Sequence, residues 1–236
     1  MLEKILHYEH DLFFALNGSN SVVLDHFMWL YSGQMVWVPV VMLIVAILVY
    51  KKDWRNSLMI LAAIVLTLVA CDQLSSGIIK PLFCRLRPTH HPLFADKVAT
   101  VFNYRGGKYG FISGHAANAF GLATFLALFF RYALLSWTIY LWAAVTAYSR
   151  IYLGVHFISD VVPGMIAGIA LGYLVYCQYR RIHKKMTDNS FISVVPVYTV
   201  LHKRLIIYGI IITIMALFVF HSQLTALLSC SDIVLF

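Results

Sequence analysis

Long apolar runs, separated by polar connections, occupy most of the chain. Roughly six runs reach the ~17 residues that a helix needs to cross a bilayer. They cover residues 33–50, 57–74, 114–130, 133–149, 161–179 and 205–228. Because backbone polar groups in lipid must be paired within the chain, such runs form helices. The pattern predicts an all-α polytopic membrane bundle of about six transmembrane helices, with residues 1–236 forming a single domain.

The first segment, residues 1–20, has a different pattern. Its apolar residues recur at helical spacing, with charged and histidine side chains between them, and they are Leu2, Ile5, Leu6, Phe13 and Leu16. A helix with one apolar and one polar face lies along a membrane surface. We therefore predict an N-terminal amphipathic interfacial helix, which ends at the turn sequence NGSN, residues 17–20.

Composition supports a membrane protein. Hydrophobic residues make up 61% of the chain and charged residues only 12%, which is outside the range of ordinary soluble domains. The net charge of +8 raises the possibility of nucleic-acid binding. The basic residues, however, fall in the connections between apolar runs, where they set membrane topology. We therefore expect the partners to be the bilayer and a membrane lipid, and no nucleic acid.

Two connections are rich in polar groups: the long loop at 75–113 and the short connection at 150–160. Two predicted spans separate them, so both lie on the same face of the membrane. The connections on the opposite face carry Lys51, Lys52, Arg55, Arg131, Arg180, Arg181, Lys184, Lys185, Lys203 and Arg204. Short loops rich in Lys and Arg remain in the cytoplasm. We expect an inner-membrane protein whose loop at 75–113 carries an active site on the periplasmic, outer face.

Three clusters on that face carry the candidate chemistry. They are KPLFCRLRP with Lys80 and Arg87, FISGH with Ser113, Gly114 and His115, and SRIYLGVHFISD with Arg150, His156 and Asp160. Cations at a membrane boundary are costly unless they face an anion or water. Arg matches phosphate oxygens with a planar fork, and a helix N-terminus is a natural anion site. The three clusters together predict a phosphate cradle.

The two histidines suggest what happens to the bound phosphate. His156 and Asp160 are four residues apart, so on a helix they share a face. A carboxylate can then hold one ring nitrogen and leave the other free to attack. His115 remains as a second imidazole that can protonate a leaving oxygen. This arrangement predicts phosphoryl transfer through a phosphohistidine.

The same clusters resemble the three-part signature of the type 2 phosphatidic acid phosphatase superfamily: K-x6-RP, PSGH and SR-x5-H-x3-D. Every spacing is kept from Lys80 to Asp160, and one position departs, because Ile112 stands where the family usually has proline. The resemblance implies His156 as nucleophile, Asp160 as its orienting group and His115 as the acid. It implies phosphate binding by Lys80, Arg87, Ser113, Gly114 and Arg150. It also implies that neither a metal nor another cofactor is needed.

Three further features stay open at this level. Arg85 lies off the fixed positions of the first motif, and a solvated loop residue is favoured over a second headgroup contact. Asp72 is an acid within an apolar run, and a buried structural hydrogen bond is favoured over a functional role. In YRGGKYG, residues 104–110, Arg105 or Lys108 is a candidate for headgroup contact, although flexible loops often have this composition.

The predicted activity is hydrolysis of a phosphomonoester or diphosphate on a membrane lipid. Undecaprenyl diphosphate is the favoured substrate, because compact bacterial members of the family commonly use it. A lipid A phosphatase is the close alternative, and phosphatidylglycerol phosphate and phosphatidic acid are further candidates. A vanadium haloperoxidase has a similar site but is soluble. A non-catalytic lipid-binding or transport protein has no need for both His115 and the His156–Asp160 pair.

Overall fold

The computed structural model describes residues 2–19, 21–186 and 198–230, and its regular elements there are helices. The α-helices are α1 (Leu2–Leu16), α2 (Val22–Ser32), α3 (Val38–Val49), α4 (Trp54–Asp72), α5 (Lys80–Phe83), α6 (Gly114–Phe130), α7 (Ala133–Tyr152), α8 (Ile158–Met186), α9 (Val200–Val219) and α10 (His221–Cys230). A π-helical stretch, Gln73–Ile79, joins α4 to α5, and short 3-10 turns lie at Met35–Trp37 and Pro88–His90. The all-α prediction is confirmed.

The predicted number of spanning helices is not confirmed. Three helical stretches are long and apolar enough to cross a bilayer: Trp54–Phe83, Ile158–Met186 and Val200–Val219. A fourth is added if α2 and the stretch Met35–Val49, which meet at a bend of 74°, form one broken span. Helix α6 is apolar but has only 17 residues, and α7 carries Ser, Thr, Tyr and Trp among its apolar residues. An inner helix that packs on protein rather than on lipid has less need of a long apolar sequence.

Helix α6 lies at the centre of the bundle and packs against α4, α7 and α8. Its contact with α8 is close because glycines of α8 face the α6 backbone. A Cβ atom added at Gly168 would lie 2.3 Å from the carbonyl oxygen of Ala117, and one at Gly172 would lie 2.4 Å from that of Gly121. Small residues at such positions let two helices touch through their backbones. This contact fixes the two helix starts that carry the candidate catalytic residues.

The opposite end of the bundle gathers connections rich in basic residues. The ring of Tyr198 lies 5.4 Å from that of Phe129, and Lys52 Nζ lies 5.2 Å from the Tyr198 ring centroid. Lys203 Nζ lies 5.7 Å from the ring centroid of Tyr132. The α3–α4 and α6–α7 connections and the start of α9 therefore meet at one end. The loops that carry the three motifs lie at the other end, as the count of predicted spans requires.

Helix α1 is present where the sequence predicts it, and its position at the membrane interface stays a prediction. Phe13 is fully buried, with its ring 5.3 Å from that of Phe157. The following turn is tied to the loops of the candidate site, because Asn17 Oδ1 accepts from the backbone N–H of Ala99 at 2.8 Å and Asn17 Nδ2 donates to the carbonyl of Tyr152 at 2.9 Å. Helix α2 lies outside the predicted elements and begins at the cap residue Ser21.

Candidate active site

The structure brings the predicted site residues to one end of the bundle. Lys80 begins α5, Ser113 caps α6, and Gly114 and His115 form its first turn. Their partners from the other motifs are Arg87 in the loop after α5, Arg150 near the end of α7, His156 in the α7–α8 connection and Asp160 in the first turn of α8. Residues from three separate stretches of the chain therefore surround a single space.

Lys80 lies beside the N-terminus of α6. Its Nζ donates to Ser76 Oγ at 3.2 Å and lies 3.7 Å from the place where a Cβ atom at Gly114 would be. Ser113 is fully buried and caps the helix, since its Oγ accepts from the backbone N–H of Ala116 at 3.4 Å. A lysine ammonium next to the N–H groups of a helix start is a favourable place for an anion.

A short backbone pairing holds Arg87. Its N–H donates to the carbonyl of Lys108 at 3.1 Å, and the N–H of Gly110 donates to the carbonyl of Arg85 at 2.9 Å. Arg87 Nε donates to the carbonyl of Tyr109 at 3.0 Å. Arg87 Nη1 is buried, and no hydrogen-bond partner for it lies within the part of the chain that the structure describes. The guanidinium is thus fixed along one edge and leaves a buried donor for a ligand.

Arg150 is the most deeply placed cation of the site, at 1% exposure. Its Nη1 donates to Ser32 Oγ of α2, and its Nη2 donates to Tyr104 Oη at 2.9 Å. A buried guanidinium is costly unless its N–H groups are paired, and these two hydroxyl groups accept hydrogen bonds from it and fix its position. Ser32 and Tyr104 were not singled out from the sequence, because their contacts with Arg150 span 118 and 46 positions of the chain.

His156 and Asp160 face each other as the motif spacing predicts. His156 Nδ1 lies 3.6 Å from Asp160 Oδ2, which is longer than a hydrogen bond, so the orienting bond is not formed in this structure. The same Oδ2 accepts from the backbone N–H of Phe157 at 3.0 Å. His156 is 1% exposed and Asp160 is fully buried. The carboxylate is therefore held in place, with one oxygen directed towards the imidazole.

The surroundings of His156 favour its neutral form. Burial, followed by the positive charges of Arg87, Arg150 and Lys80, holds the pKa of His156 well below its usual range. A neutral imidazole has a lone pair on one ring nitrogen, and attack on phosphorus requires that lone pair. Since Nδ1 faces Asp160, Nε2 is the nitrogen that is available to attack.

His115 lies between the cation cluster and a cavity of about 460 Å³. Its ring lies close to that of His156 and to the cations Arg150, Arg87 and Lys80. Its Nε2 is buried and has no hydrogen-bond partner among the described residues. The cavity walls combine apolar and polar side chains, which include Trp37, Leu68, Leu122, Trp142, Asp72 and Asn118. His115 is placed to exchange a proton with a group that enters from the cavity.

Two expectations about other charged residues are wrong. Arg85 is not a solvated loop residue: its Nη1 donates to Asp160 Oδ1 at 2.7 Å, and its Nη2 donates to Glu9 Oε2 at 3.2 Å. Asp72 is exposed rather than buried, because it lies where α4 meets the cavity. Its Oδ1 does accept a hydrogen bond, from Ser76 Oγ at 3.2 Å. Asp72 therefore orients the Ser76 hydroxyl, which in turn accepts the hydrogen bond from Lys80 Nζ.

The loop at 104–110 closes over the cations through its backbone. A Cβ atom at Gly106 would lie only 2.2 Å from Arg87 Nη1, and the residue has a left-handed backbone with φ of 63°. Glycine satisfies both requirements at once. Arg105 and Lys108 are exposed, so a headgroup contact by either side chain stays a prediction.

Within the described residues, no group of three or more His, Cys, Asp or Glu side chains is arranged to hold a metal ion.

Comparisons with known proteins agree with this site. Residues 57–184 match the model of the PAP2 superfamily. A lipid A 4'-phosphatase of Porphyromonas gingivalis is 47% identical over 178 residues, which are 75% of this chain and 75% of that protein. A lipid A 4'-phosphatase of Bacteroides thetaiotaomicron is 38% identical over 80% of this chain and 85% of that protein. The crystal structure of Aquifex aeolicus LpxE, 28% identical, superposes with a TM-score of 0.54 over 70% of this chain and 92% of that chain.

The chain therefore belongs to the PAP2 superfamily, the type 2 phosphatidic acid phosphatases that its three motifs resemble. The predicted family and reaction class are confirmed: it is an integral membrane enzyme that hydrolyses phosphoric esters. The preference for undecaprenyl diphosphate has no support in these comparisons. The two lipid A 4'-phosphatases named above correspond to the stated alternative, a lipid A phosphatase.

Proposed function

We propose that the protein removes the 4'-phosphate of lipid A at the outer face of the inner membrane, through a phosphohistidine at His156. The observation that carries the reaction is the buried His156–Asp160 pair beside the cation cluster, with 3.6 Å between Nδ1 and Oδ2. The similarity to lipid A 4'-phosphatases over three quarters of the chain supports the substrate. The basic connections at the opposite end of the bundle support the orientation in the membrane.

The mechanism has two displacements. The phosphoryl oxygens lie among Lys80, Arg87, Arg150 and the N-terminus of α6, which spread positive charge around the transferring group. His156 Nε2 forms a bond to phosphorus while the bond from phosphorus to the sugar oxygen breaks, and His115 gives that oxygen a proton. A water molecule then attacks phosphorus as the P–N bond breaks. His115 takes a proton from this water, inorganic phosphate leaves, and both imidazoles return to their starting states.

The cavity beside His115 supports a bulky leaving group with both polar and apolar parts. Asn118 lies one turn after His115 on α6, lines the cavity, and has a buried Oδ1 without a hydrogen-bond partner among the described residues. A sugar hydroxyl or amide supplies the donor that this oxygen lacks. The apolar walls next to it suit the acyl chains of the same substrate. An isoprenyl diphosphate has no sugar to offer Asn118.

The proposal is tested by phosphate release from purified protein. We expect lipid A with its 4'-phosphate to be hydrolysed faster than undecaprenyl diphosphate or phosphatidylglycerol phosphate, and mass spectrometry of the product to locate the lost phosphate. Faster release from undecaprenyl diphosphate contradicts the substrate assignment. Asn118→Leu is expected to lower activity on lipid A and to leave activity on p-nitrophenyl phosphate unchanged within about twofold, because the small ester does not reach this oxygen.

The covalent step has its own measurement. With substrate labelled in the 4'-phosphate, acid-sensitive label is expected on the wild-type chain and on His183→Ala, but not on His156→Ala. His183 is a suitable control because it lies in the last turn of α8, at the opposite end from Asp160 in the first turn. Turnover by His156→Ala at the wild-type rate contradicts the mechanism.

The need for a metal is tested separately. Since side chains supply the positive charge, we expect activity to persist in EDTA. Loss of activity on chelation that Mg²⁺ or Zn²⁺ restores indicates another chemistry.

A further inference from the structure

A side-chain network connects helix α1 to the catalytic carboxylate. Arg85 lies at its centre and donates through Nη1 to Asp160 Oδ1 at 2.7 Å and through Nη2 to Glu9 Oε2 at 3.2 Å. The second oxygen of Glu9 accepts from the backbone N–H of Ser159 at 3.0 Å and also from Ser159 Oγ. Arg85 Nη1 also donates to Ser159 Oγ at 2.5 Å, so Arg85, Glu9 and Ser159 form a closed ring of hydrogen bonds to which Asp160 is attached.

The network is largely shielded from water. The side chain of Asp160 is 0% exposed, that of Glu9 12% and that of Arg85 29%. The Arg85 guanidinium also lies 4.8 Å from the ring centroid of Phe157, a residue whose N–H donates to Asp160 Oδ2. Charge-assisted hydrogen bonds in such surroundings are stronger than those on an open surface. Glu9 therefore restrains the direction of the guanidinium as well as balancing its charge.

The two carboxylate oxygens of Asp160 have different partners. Oδ1 is occupied by Arg85, while Oδ2 accepts from Phe157 N–H and faces His156 Nδ1. If Arg85 lost its second anchor, its Nη1 would hold Oδ1 less firmly, and the direction of Oδ2 towards the imidazole would depend mainly on the Phe157 N–H. A small misplacement of a catalytic group is enough to lower the rate by about 100-fold. The restraint on Arg85 is thus a restraint on the nucleophile.

We propose that Glu9 is a positioning residue of the active site, which orients Asp160, and through it His156, by holding Arg85 and Ser159. The assignment rests on the proposed role of His156 as nucleophile. It makes helix α1 part of the catalytic apparatus, although Glu9 lies 71 positions before the first motif. Arg85 belongs to the same positioning set, since Glu9 reaches the carboxylate through it.

Glu9→Gln tests the arm of the network that runs through Arg85. The amide oxygen can still accept from Ser159, but the amide nitrogen places a donor against the donors of Arg85. We expect kcat on p-nitrophenyl phosphate to fall by about 10- to 100-fold, with KM within about twofold because the phosphate cradle is untouched. Glu9→Asp, which keeps the charge, is expected to recover part of the loss. Asp11→Asn is the matched control, because Asp11 is exposed on the same helix. Removing its negative charge is expected to leave kcat unchanged.

A double-mutant cycle separates positioning from a purely structural contact. If Glu9 acts through Arg85, Glu9→Gln has little further effect on kcat once Arg85→Ala is present. If Glu9→Gln lowers the melting temperature but leaves kcat per folded molecule unchanged, the contact is structural and the proposal is wrong. The proposal is also wrong if Glu9→Gln lowers kcat by the same factor in the wild-type protein and in Arg85→Ala. The wild-type rate and the labelled intermediate report on the proposed function, whereas the ratio of Glu9→Gln to wild type reports on this inference alone.

Discussion

The backbone N–H of Ser113 donates a hydrogen bond of 2.9 Å to the carbonyl oxygen of Asp160. This bond joins the cap of α6 directly to the first turn of α8. It therefore sets the distance between His115, which follows Ser113, and the His156–Asp160 pair. A Cβ atom added at Gly164 would lie 2.7 Å from the Ser113 carbonyl oxygen, so the same approach continues along α8. The relation between the two histidines depends on contact between two helix backbones.

The first prediction concerns this contact. Gly168→Ala places a Cβ atom 2.3 Å from a backbone oxygen that cannot rotate away. Overpacking of this kind costs about 1–3 kcal/mol, and the better helix propensity of alanine offsets about 1 kcal/mol at most. We expect a lower melting temperature in detergent and a lower kcat, because α6 and α8 must separate to accommodate the methyl group.

Gly209→Ala provides the matched control. It is also a helical glycine, but its new Cβ atom would meet Leu43 Cδ2, the far end of a flexible side chain, at 2.7 Å. The leucine can change rotamer, so stability and activity should both stay close to wild type. If the two variants behave alike, the α6–α8 contact does not control the site.

The sequence predicts the positions of those site residues that are close to one another in the chain. Lys80 and Arg87, Ser113 and His115, and His156 and Asp160 each lie within one short motif, so spacing alone indicates which of them share a surface. Alternating span direction then brings the three motifs to one end of the bundle. Arg85 is an exception: it is only two residues from Arg87, yet spacing did not predict its contact with Asp160.

The remaining contacts depend on tertiary packing. Glu9 reaches Arg85 across 76 positions, and no periodicity of α1 distinguishes Glu9 from the other charged residues of that helix. Helix α2 was missed because its 11 residues are too short for a span, and the bend of 74° that follows it leaves no signal in the apolar pattern. Local patterns predict helices, whereas the angles between helices follow from side chains that meet only in the folded state.

A second prediction concerns pH. Burial and the neighbouring cations hold the pKa of His156 well below its usual range, and only the neutral imidazole can attack. Activity should therefore persist as the pH falls below about 6.5, the usual histidine value, and decline only as the pH passes through the lowered pKa. The measurement is kcat/KM against pH, which reports the free enzyme, on p-nitrophenyl phosphate, a substrate that depends little on an acid catalyst.

The substrate itself titrates in a similar range, so a variant must separate the two effects. Asp160 lies 3.6 Å from His156, and its negative charge favours the imidazolium form. Asp160→Asn removes that charge and should move the acid limb of the profile to still lower pH, besides lowering kcat. An acid limb that stays in place in Asp160→Asn belongs to the substrate and contradicts the assignment to His156.

A third prediction concerns the two faces of the membrane. In a background without native cysteines, Asp96→Cys should react with an impermeant reagent from outside intact spheroplasts, because residue 96 is exposed on the loop that carries the site. Lys184→Cys, exposed at the far end of α8, should react only after the membrane is opened. The reverse pattern places the active site in the cytoplasm and excludes periplasmic substrates.

The fourth prediction separates the roles of the two histidines, which a simple activity screen would confuse. A nucleophile is needed for every substrate, so His156→Ala should be inactive on all of them. A proton donor matters chiefly when the leaving oxygen is basic, as it is for a sugar alkoxide, and much less for an activated phenol. His115→Ala should therefore lose more activity on lipid A than on p-nitrophenyl phosphate, by roughly 10- to 1000-fold, within the ~10²–10⁴ that acid catalysis contributes.

The location of His115 requires one further measurement before that ratio is interpreted. Its neighbours Ser113 and Gly114 form the start of α6, and its ring lies close to Lys80 and Arg150. Inhibition by vanadate, which occupies the place of phosphate, should be the same for His115→Ala and wild type. If vanadate binds equally well and the two substrates lose activity by the same factor, His115 does not protonate the leaving group. Weaker vanadate inhibition of His115→Ala, with equal losses on the two substrates, instead assigns His115 to the residues that hold the phosphate, with its buried Nε2 as a ligand to phosphate oxygen.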